Sequence, residues 1–209
     1  MNRELSKEDV REIYDSEAKY YDFFELIWGF LGLTDLRRKL GKEAHRNILE
    51  VGIGTGKNLD YYSSKSKIWG IDLSKEMLKR ARKKADRLGK SLGLEIGDAE
   101  RLPYKNYSFD IVVDSLGLCT YPDPIKALEE MKRVCKKDGI IMLLEHGISN
   151  NSLIRKLQYI REERHYKMQG CHLTRNPEEL ARKAGLAIEK CERTFFGVFY
   201  LIKAKAQYN

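Results

Sequence analysis

The sequence predicts an α/β fold: a doubly wound, Rossmann-like sheet of seven strands with strand 7 antiparallel and a helical cover at the N-terminus. Three observations carry this. A short apolar run, Ile48 to Val51, leads straight into glycines at 52, 54 and 56. Beyond it, aliphatic runs alternate with segments of helical spacing, the pattern of a parallel sheet covered on both faces. The last two apolar runs, Leu186 to Arg193 and Phe196 to Lys205, have no helix between them and pair as a hairpin. A chain of 209 residues with 42% hydrophobic content suits a single domain with a sizeable core. Residues 1–40 read as a helical cap or lid, and residues 41–209 as the core that carries the glycine loop.

Taken in order, Ser6 to Leu40 is mostly helical in pattern. Within it, Phe23 to Leu33 is too apolar for a free surface and too short to span a bilayer. It roofs an apolar pocket, touches a membrane surface peripherally, or packs as core. Gly29 and Gly32 weaken a helix there, which suits a lid that moves. Ile48 to Val51 is a buried strand, and the alternate glycines after it let a ligand lie against the main chain. From Lys57 onward the chain reads as helical, so that amides at a helix start face that ligand. The second strand, Lys67 to Asp72, ends on a carboxylate. Ser74 caps a helix from Lys75 to about Leu88, with Met77, Leu78, Ala81 and Ala85 at helical spacing. Leu92 to Ile96 is the third strand and Ser108 to Ser115 the fourth. Pro124 starts a helix at its favoured first position. Lys137-Asp138-Gly139 turns the chain into the fifth strand, Ile140 to Glu145. A charge-rich helix through Leu153, Ile154, Leu157 and Ile160 follows, then Gly170 to Arg175, and then a helix capped by Asn176.

Spacing narrows the ligand. The dinucleotide fingerprint places its third glycine three positions after the second, and Lys57 stands there instead. Glu50 lies two residues before the first glycine. Asp72, at the end of the second strand, is placed to accept both ribose hydroxyls of a nucleoside. Gly97-Asp98-Ala99-Glu100 adds an acidic motif after the third strand. With loop, Asp72 and Asp98 in this order and spacing, nearly the whole chain resembles the class I S-adenosylmethionine-dependent methyltransferases. The resemblance implies S-adenosyl-L-methionine as cofactor, held by Glu50, Gly52, Gly54, Gly56, Asp72, Leu73, Asp98, Ala99 and Ser115. It also implies a tyrosine closing over the methionine end. The segment Tyr14 to Asp22 supplies it, with Tyr20 chosen beside Tyr14 and Tyr21. Ser115 to Thr120, Leu144 to Gly147 and Gly170 to Arg175 resemble one branch, which contains the membrane-associated alkyl thiol methyltransferases and a mitochondrial methyltransferase of fungi.

The expected reaction is methyl transfer to a small, apolar acceptor: a thiol, a lipid amine or a quinone precursor. A thiol or hydroxyl acceptor needs a base, and the carboxyl ends of strands four and five offer Asp114, Ser115, Cys119, Glu145 and His146. His146 is the chosen base, its ordinary pKa being about 6.5. Arg175 is a candidate for an acidic group of acceptor or cofactor. A metal site using His146, Cys171 and His172 has no support from spacing, and no metal is expected. The four cysteines lie far apart and read as reduced thiols. With no apolar leader and no run near 20 apolar residues, a cytoplasmic location is expected. The net charge of +8 falls largely on Lys79 to Lys84, a solvated helix face without aromatics between the charges, so no nucleic-acid partner is expected. A second class stays open: a cofactor-holding module without turnover, or an enzyme acting on RNA or protein. Against the latter, Asp114-Ser115-Leu116-Gly117 stands where an Asn- or Asp-Pro-Pro-Tyr motif would mark amine methylation of a base or glutamine.

Overall fold

The computed structural model describes residues 4–206, and the side chains at 20–28 and 30 lie outside the description together with residues 1–3 and 207–209. Helix α1 (Lys7–Trp28) and helix α2 (Thr34–Glu43) precede the sheet. Strand β1 (Asn47–Val51), β2 (Lys67–Asp72), helix α3 (Lys75–Arg87), β3 (Leu92–Ile96) and β4 (Phe109–Ser115) form the first half. Helix α4 (Pro124–Val134), β5 (Cys135–His146), α5 (Ser152–Gln169), α6 (Pro177–Lys183), β6 (Leu186–Thr194) and β7 (Phe199–Ala206) complete it. The sheet has seven strands in the order β3-β2-β1-β4-β5-β7-β6. Strands β1 to β5 pair in parallel, and β7 runs antiparallel to both β5 and β6. The order reverses between β1 and β4, so a crevice opens at their carboxyl ends, where Val51 stands level with Ile71 and Asp114.

Alternation along the strands fills both faces. Leu49, Val51, Val112, Ile141 and Leu143 pack with α4 and α6 through Ala127, Leu128, Met131 and Ala181. Ile48, Ile68, Ile111, Val113 and Met142 pack on the other face with Leu36, Leu40, Ala81 and Ala85 of α2 and α3. Truncating Met131 or Leu36, both fully buried, to alanine costs about 2–5 kcal/mol. Ser74 and Asn176 cap their helices as the sequence indicates, and the structure adds a cap at Asp123. Ser74 Oγ accepts from the amide of Met77 at 3.1 Å, and Asp123 Oδ1 accepts from that of Lys126 at 3.0 Å. Asn176 Oδ1 accepts from Glu178 and Glu179, each cap worth about 1 kcal/mol.

Two elements differ from the sequence reading, and a break at Gly32 follows it. The segment after the glycine loop is a single 3-10 turn, Lys57–Asp60, rather than a helix. Asn58 and Tyr62 turn inward there and satisfy the buried Glu50. Strand β5 begins at Cys135 and carries Lys137-Asp138-Gly139 within it, with a register irregularity opposite Phe109 and Ile111. The N-terminal helical region breaks at residues 29–33, where Gly32 has φ 103°, a conformation other residues rarely adopt.

Candidate active site

The cleft at the switch point is lined by Gly52, Gly54, Asp72, Leu73, Asp98, Ala99 and Ser115, seven of the residues expected from sequence. The glycine loop passes through the left-handed region at Gly52, Gly54 and Gly56, with φ of 62°, 54° and 77°. Among the described residues a methyl group at Gly54 would meet no heavy atom closer than Gly52 O at 4.0 Å, which leaves space above it for a ligand. Asp72 Oδ2 accepts from the Gly54 amide at 2.8 Å and Oδ1 from the Ser74 amide at 2.8 Å. Burial pushes its carboxyl up to about 6, against the pull of those two amides. The carboxylate is therefore fixed in direction and keeps lone pairs for ribose hydroxyls.

Glu50 and Gly56 do not line this cleft. Glu50 is fully buried behind the loop, accepting from Asn58 Nδ2 at 2.7 Å and Tyr62 OH at 2.9 Å, and burial raises it to about 7. Arg37 extends the network from α2, donating to Asn58 Oδ1 at 2.5 Å and to Ser115 Oγ at 3.1 Å. Glu50 thus braces the glycine loop from below. The Tyr20 side chain lies outside the described residues, whereas Tyr14 of the same helix lines the cleft.

Sequence reasoning missed two cleft residues. Lys7 places its ammonium 2.6 Å from Asp98 Oδ2 and 2.6 Å from Glu100 Oε2, which ties the start of α1 across the opening. Tyr121 donates its hydroxyl to Asp114 Oδ1 at 2.8 Å on the cleft wall. Asp114 and Glu145 are both fully buried. Burial raises Asp114 to about 7, and burial with the Asp114 charge raises Glu145 well above its usual range. Among the described residues no hydrogen-bond partner meets Asp114 Oδ2 or Glu145 Oε2, so both buried carboxyls favour their neutral forms.

A methyltransferase domain family matches residues 49–143, the stretch from β1 to β5 that builds this cleft. The demethylmenaquinone methyltransferase of Lactobacillus johnsonii is 31% identical over 166 residues, covering 74% of this chain and 68% of that protein. The chain belongs to the S-adenosylmethionine-dependent methyltransferases. The mitochondrial methyltransferase OMS1 of Saccharomyces cerevisiae is 29% identical over 96% of this chain and 47% of its own length. The phosphatidylethanolamine N-methyltransferase of Cereibacter sphaeroides is 40% identical over 61% of this chain and 65% of that protein. The chain thus spans from about half to two thirds of the length of these two relatives. A solved S-adenosylmethionine-dependent methyltransferase from Aquifex aeolicus shares the fold, with a TM-score of 0.66 and 19% identity over 92% of this chain and 98% of that one. The cofactor of this methyltransferase is S-adenosyl-L-methionine. The open cradle over Gly54 and the aimed carboxylate of Asp72 suit its backbone-hugging methionine and its ribose.

The other residues singled out in the sequence are held in contacts of their own. His146, the last residue of β5, turns Nε2 to Cys171 Sγ at 3.0 Å and is not among the residues lining the main cleft. Cys119 joins them, and the three donor atoms lie within 4.8 Å of one another. Burial tends to lower the His146 pKa, and the Cys119 sulfur beside it outweighs that and raises it. His172, grouped with His146 and Cys171 in the sequence reading, instead pairs with Glu162 at 2.7 Å and stacks on Tyr166. Arg175 donates to the carbonyls of Leu118 and Tyr121, so its guanidinium holds the loop between β4 and α4. No helix among the described residues is long and apolar enough to cross a membrane.

Proposed function

We propose that this methyltransferase moves a methyl group from S-adenosyl-L-methionine to a small, apolar acceptor by in-line displacement. A thiol, a lipid amine or a quinone precursor meets the description. The observation that carries the reading is the convergence of Gly54, Asp72, Asp98 and Ser115 on one cleft, under a helix that brings Val10 and Tyr14 to the same cavity. The bound sulfonium supplies an already activated methyl group. The chain must therefore bind, orient and exclude water. Asp72 fixes the ribose, the Gly52–Gly54 backbone holds the methionine portion, and α1 covers the opening. Two relatives are named for phosphatidylethanolamine and for demethylmenaquinone, a lipid amine and a quinone precursor.

An amine acceptor attacks as the free base, so its ammonium proton leaves to solvent first, and the methylated nitrogen takes up the positive charge that the sulfonium loses. For a thiol or hydroxyl acceptor His146 is the proposed base, and to serve it must exchange its present partner, Cys171 Sγ, for the acceptor. Full-length protein incubated with methyl-labelled cofactor and a panel of apolar thiols, phenols, lipid amines and quinols tests the reading. Transfer to one of these classes supports it. Cofactor binding without transfer to any of them favours a binding module, and transfer to RNA or bulk protein favours a polymeric substrate.

A further inference from the structure

We propose that Cys119, His146 and Cys171 form a metal site that takes zinc(II) through two sulfurs and one imidazole nitrogen, with a fourth position left for water or a thiolate. The three residues come from separate parts of the chain: the loop after β4, the end of β5 and the segment between α5 and α6. Their donor atoms lie within 4.8 Å of one another, and His146 Nε2 stands 3.0 Å from Cys171 Sγ. With zinc–sulfur bonds of about 2.3 Å and zinc–nitrogen bonds of about 2.0 Å, tetrahedral ligands lie roughly 3.6–3.8 Å apart. Side-chain rotations alone cover that adjustment.

The backbone holds the three positions together without a covalent link. The His172 amide donates to Cys119 O at 2.9 Å, joining the two cysteine segments. Gln158, a buried amide of α5, donates to Gly147 O at 2.9 Å and Leu173 O at 3.1 Å, joining the residue after His146 to the stretch after Cys171. Glu162 accepts from the amides of Leu173 and Thr174 at 2.8 and 3.1 Å, fixing the same stretch. A soft donor set of two thiols and one imidazole selects zinc over magnesium or calcium.

Charge favours the same occupant. Two thiolates buried together without a cation lack hydration and repel one another, and a divalent cation between them removes that cost. Zinc binding forms two zinc–sulfur bonds and releases both thiol protons to solvent, leaving a centre with no net charge. Neutral His146 supplies the Nε2 lone pair. The same nitrogen cannot ligate zinc and act as a base, so this site and the base role of His146 exclude one another. The inference stands on side-chain geometry and is read without any transfer assay.

The test uses reduced, chelator-stripped full-length protein, equilibrated with zinc(II) or cobalt(II), dialysed and measured by elemental analysis. One bound zinc per chain is expected, with two protons released. The cobalt form should show intense tetrahedral visible bands and sulfur-to-cobalt charge transfer. Cys119→Ser and Cys171→Ser should each weaken zinc binding more than about 100-fold, beyond the range of outer-sphere changes. Cys191→Ser, on β6 away from the cluster, should leave it unchanged. Circular dichroism checks folding. If the serine variants misfold, His146→Gln replaces them: it should weaken zinc binding similarly and keep the charge-transfer bands. Zinc uptake no greater than in the Cys119→Ser/Cys171→Ser double variant overturns the proposal. So does a six-coordinate cobalt spectrum, or a Cys119–Cys171 disulfide in the protein as isolated under reducing conditions.

Discussion

Gly54 and Asp72 meet through a single 2.8 Å hydrogen bond, and the loop conformation and the carboxylate direction depend on each other there. Gly54→Ala forces a side chain into a φ of 54° at a cost of about 1–2 kcal/mol and fills the open cradle above the loop. The variant should fold, as thermal denaturation will show, while cofactor affinity by calorimetry falls more than about tenfold. An unchanged affinity would mean that the ligand does not lie against this backbone. These two residues were readable from sequence because each closes a strand and its turn within a few positions. Lys7 was not, because its partner Asp98 lies 91 residues away and lysine is common on any helix. The Cys119, His146 and Cys171 cluster escaped for the same reason. No short-range spacing joins residues that only the strand order and the Gln158 and Glu162 bonds bring together. His172, adjacent to Cys171 in sequence, drew attention instead and is held by Glu162.

At the scale of elements, α1 is fastened to the cleft at two points. Lys7 bridges Asp98 and Glu100, and Asp15 Oδ1 accepts from Ser74 Oγ at 2.5 Å at the start of α3. Its contribution to the core is slight among the described side chains, with Val10 and Ala18 buried, whereas α2 supplies Leu36 and Leu40. We propose that α1 and the break at Gly32 act as the cover. Deleting residues 1–33 should therefore abolish transfer while circular dichroism still reports a folded sheet. Unfolding of the truncated protein would instead make the segment part of the core. Lys7→Ala probes the fastening more gently. Both partners in the Lys7–Asp98 pair are 31% exposed, so stability should change by less than about 1 kcal/mol. Limited proteolysis should nonetheless cut α1 faster, and an unchanged rate would separate this ion pair from closure. Helix starts were legible because Ser74 and Asn176 cap them through their own side chains and Pro124 takes a favoured first position. The 3-10 turn at Lys57–Asp60 was not, since Asn58 within it bonds the buried Glu50 across the loop, a contact that helical pattern does not signal.

For the molecule as a whole, buried carboxyls set an unusual pH response. Burial raises Glu50 and Asp114 to about 7 and Asp72 to about 6, and Glu145 lies well above its ordinary value. Between pH about 4 and 7 the folded state therefore holds protons that the unfolded chain has released, so stability falls as pH rises through that window. Carboxyls shifted downward by lysine or arginine partners, Asp110 and Glu178 among them, act in the opposite sense and only at lower pH. Denaturant midpoints of the cofactor-free protein should drop from about pH 5 to about pH 8, and Asp114→Asn should flatten the slope. A midpoint that climbs over this range would contradict the upward shift of these buried carboxyls. The sheet's strand count and antiparallel last strand were readable from the alternation and the final hairpin. The pairing of β7 between β5 and β6 places Tyr200 and Ile202 in the central core, a long-range outcome that local pattern does not specify.

The central claim is that the cleft at the switch point holds S-adenosyl-L-methionine through Asp72, and titration calorimetry tests it most directly. The wild-type chain should bind the cofactor and its demethylated product. Asp72→Ala should lose at least about 1.5 kcal/mol, the worth of a hydrogen bond to a charged group, which is more than tenfold in affinity. Undiminished binding in that variant, or tighter binding of a nicotinamide dinucleotide by the wild type, would contradict the account.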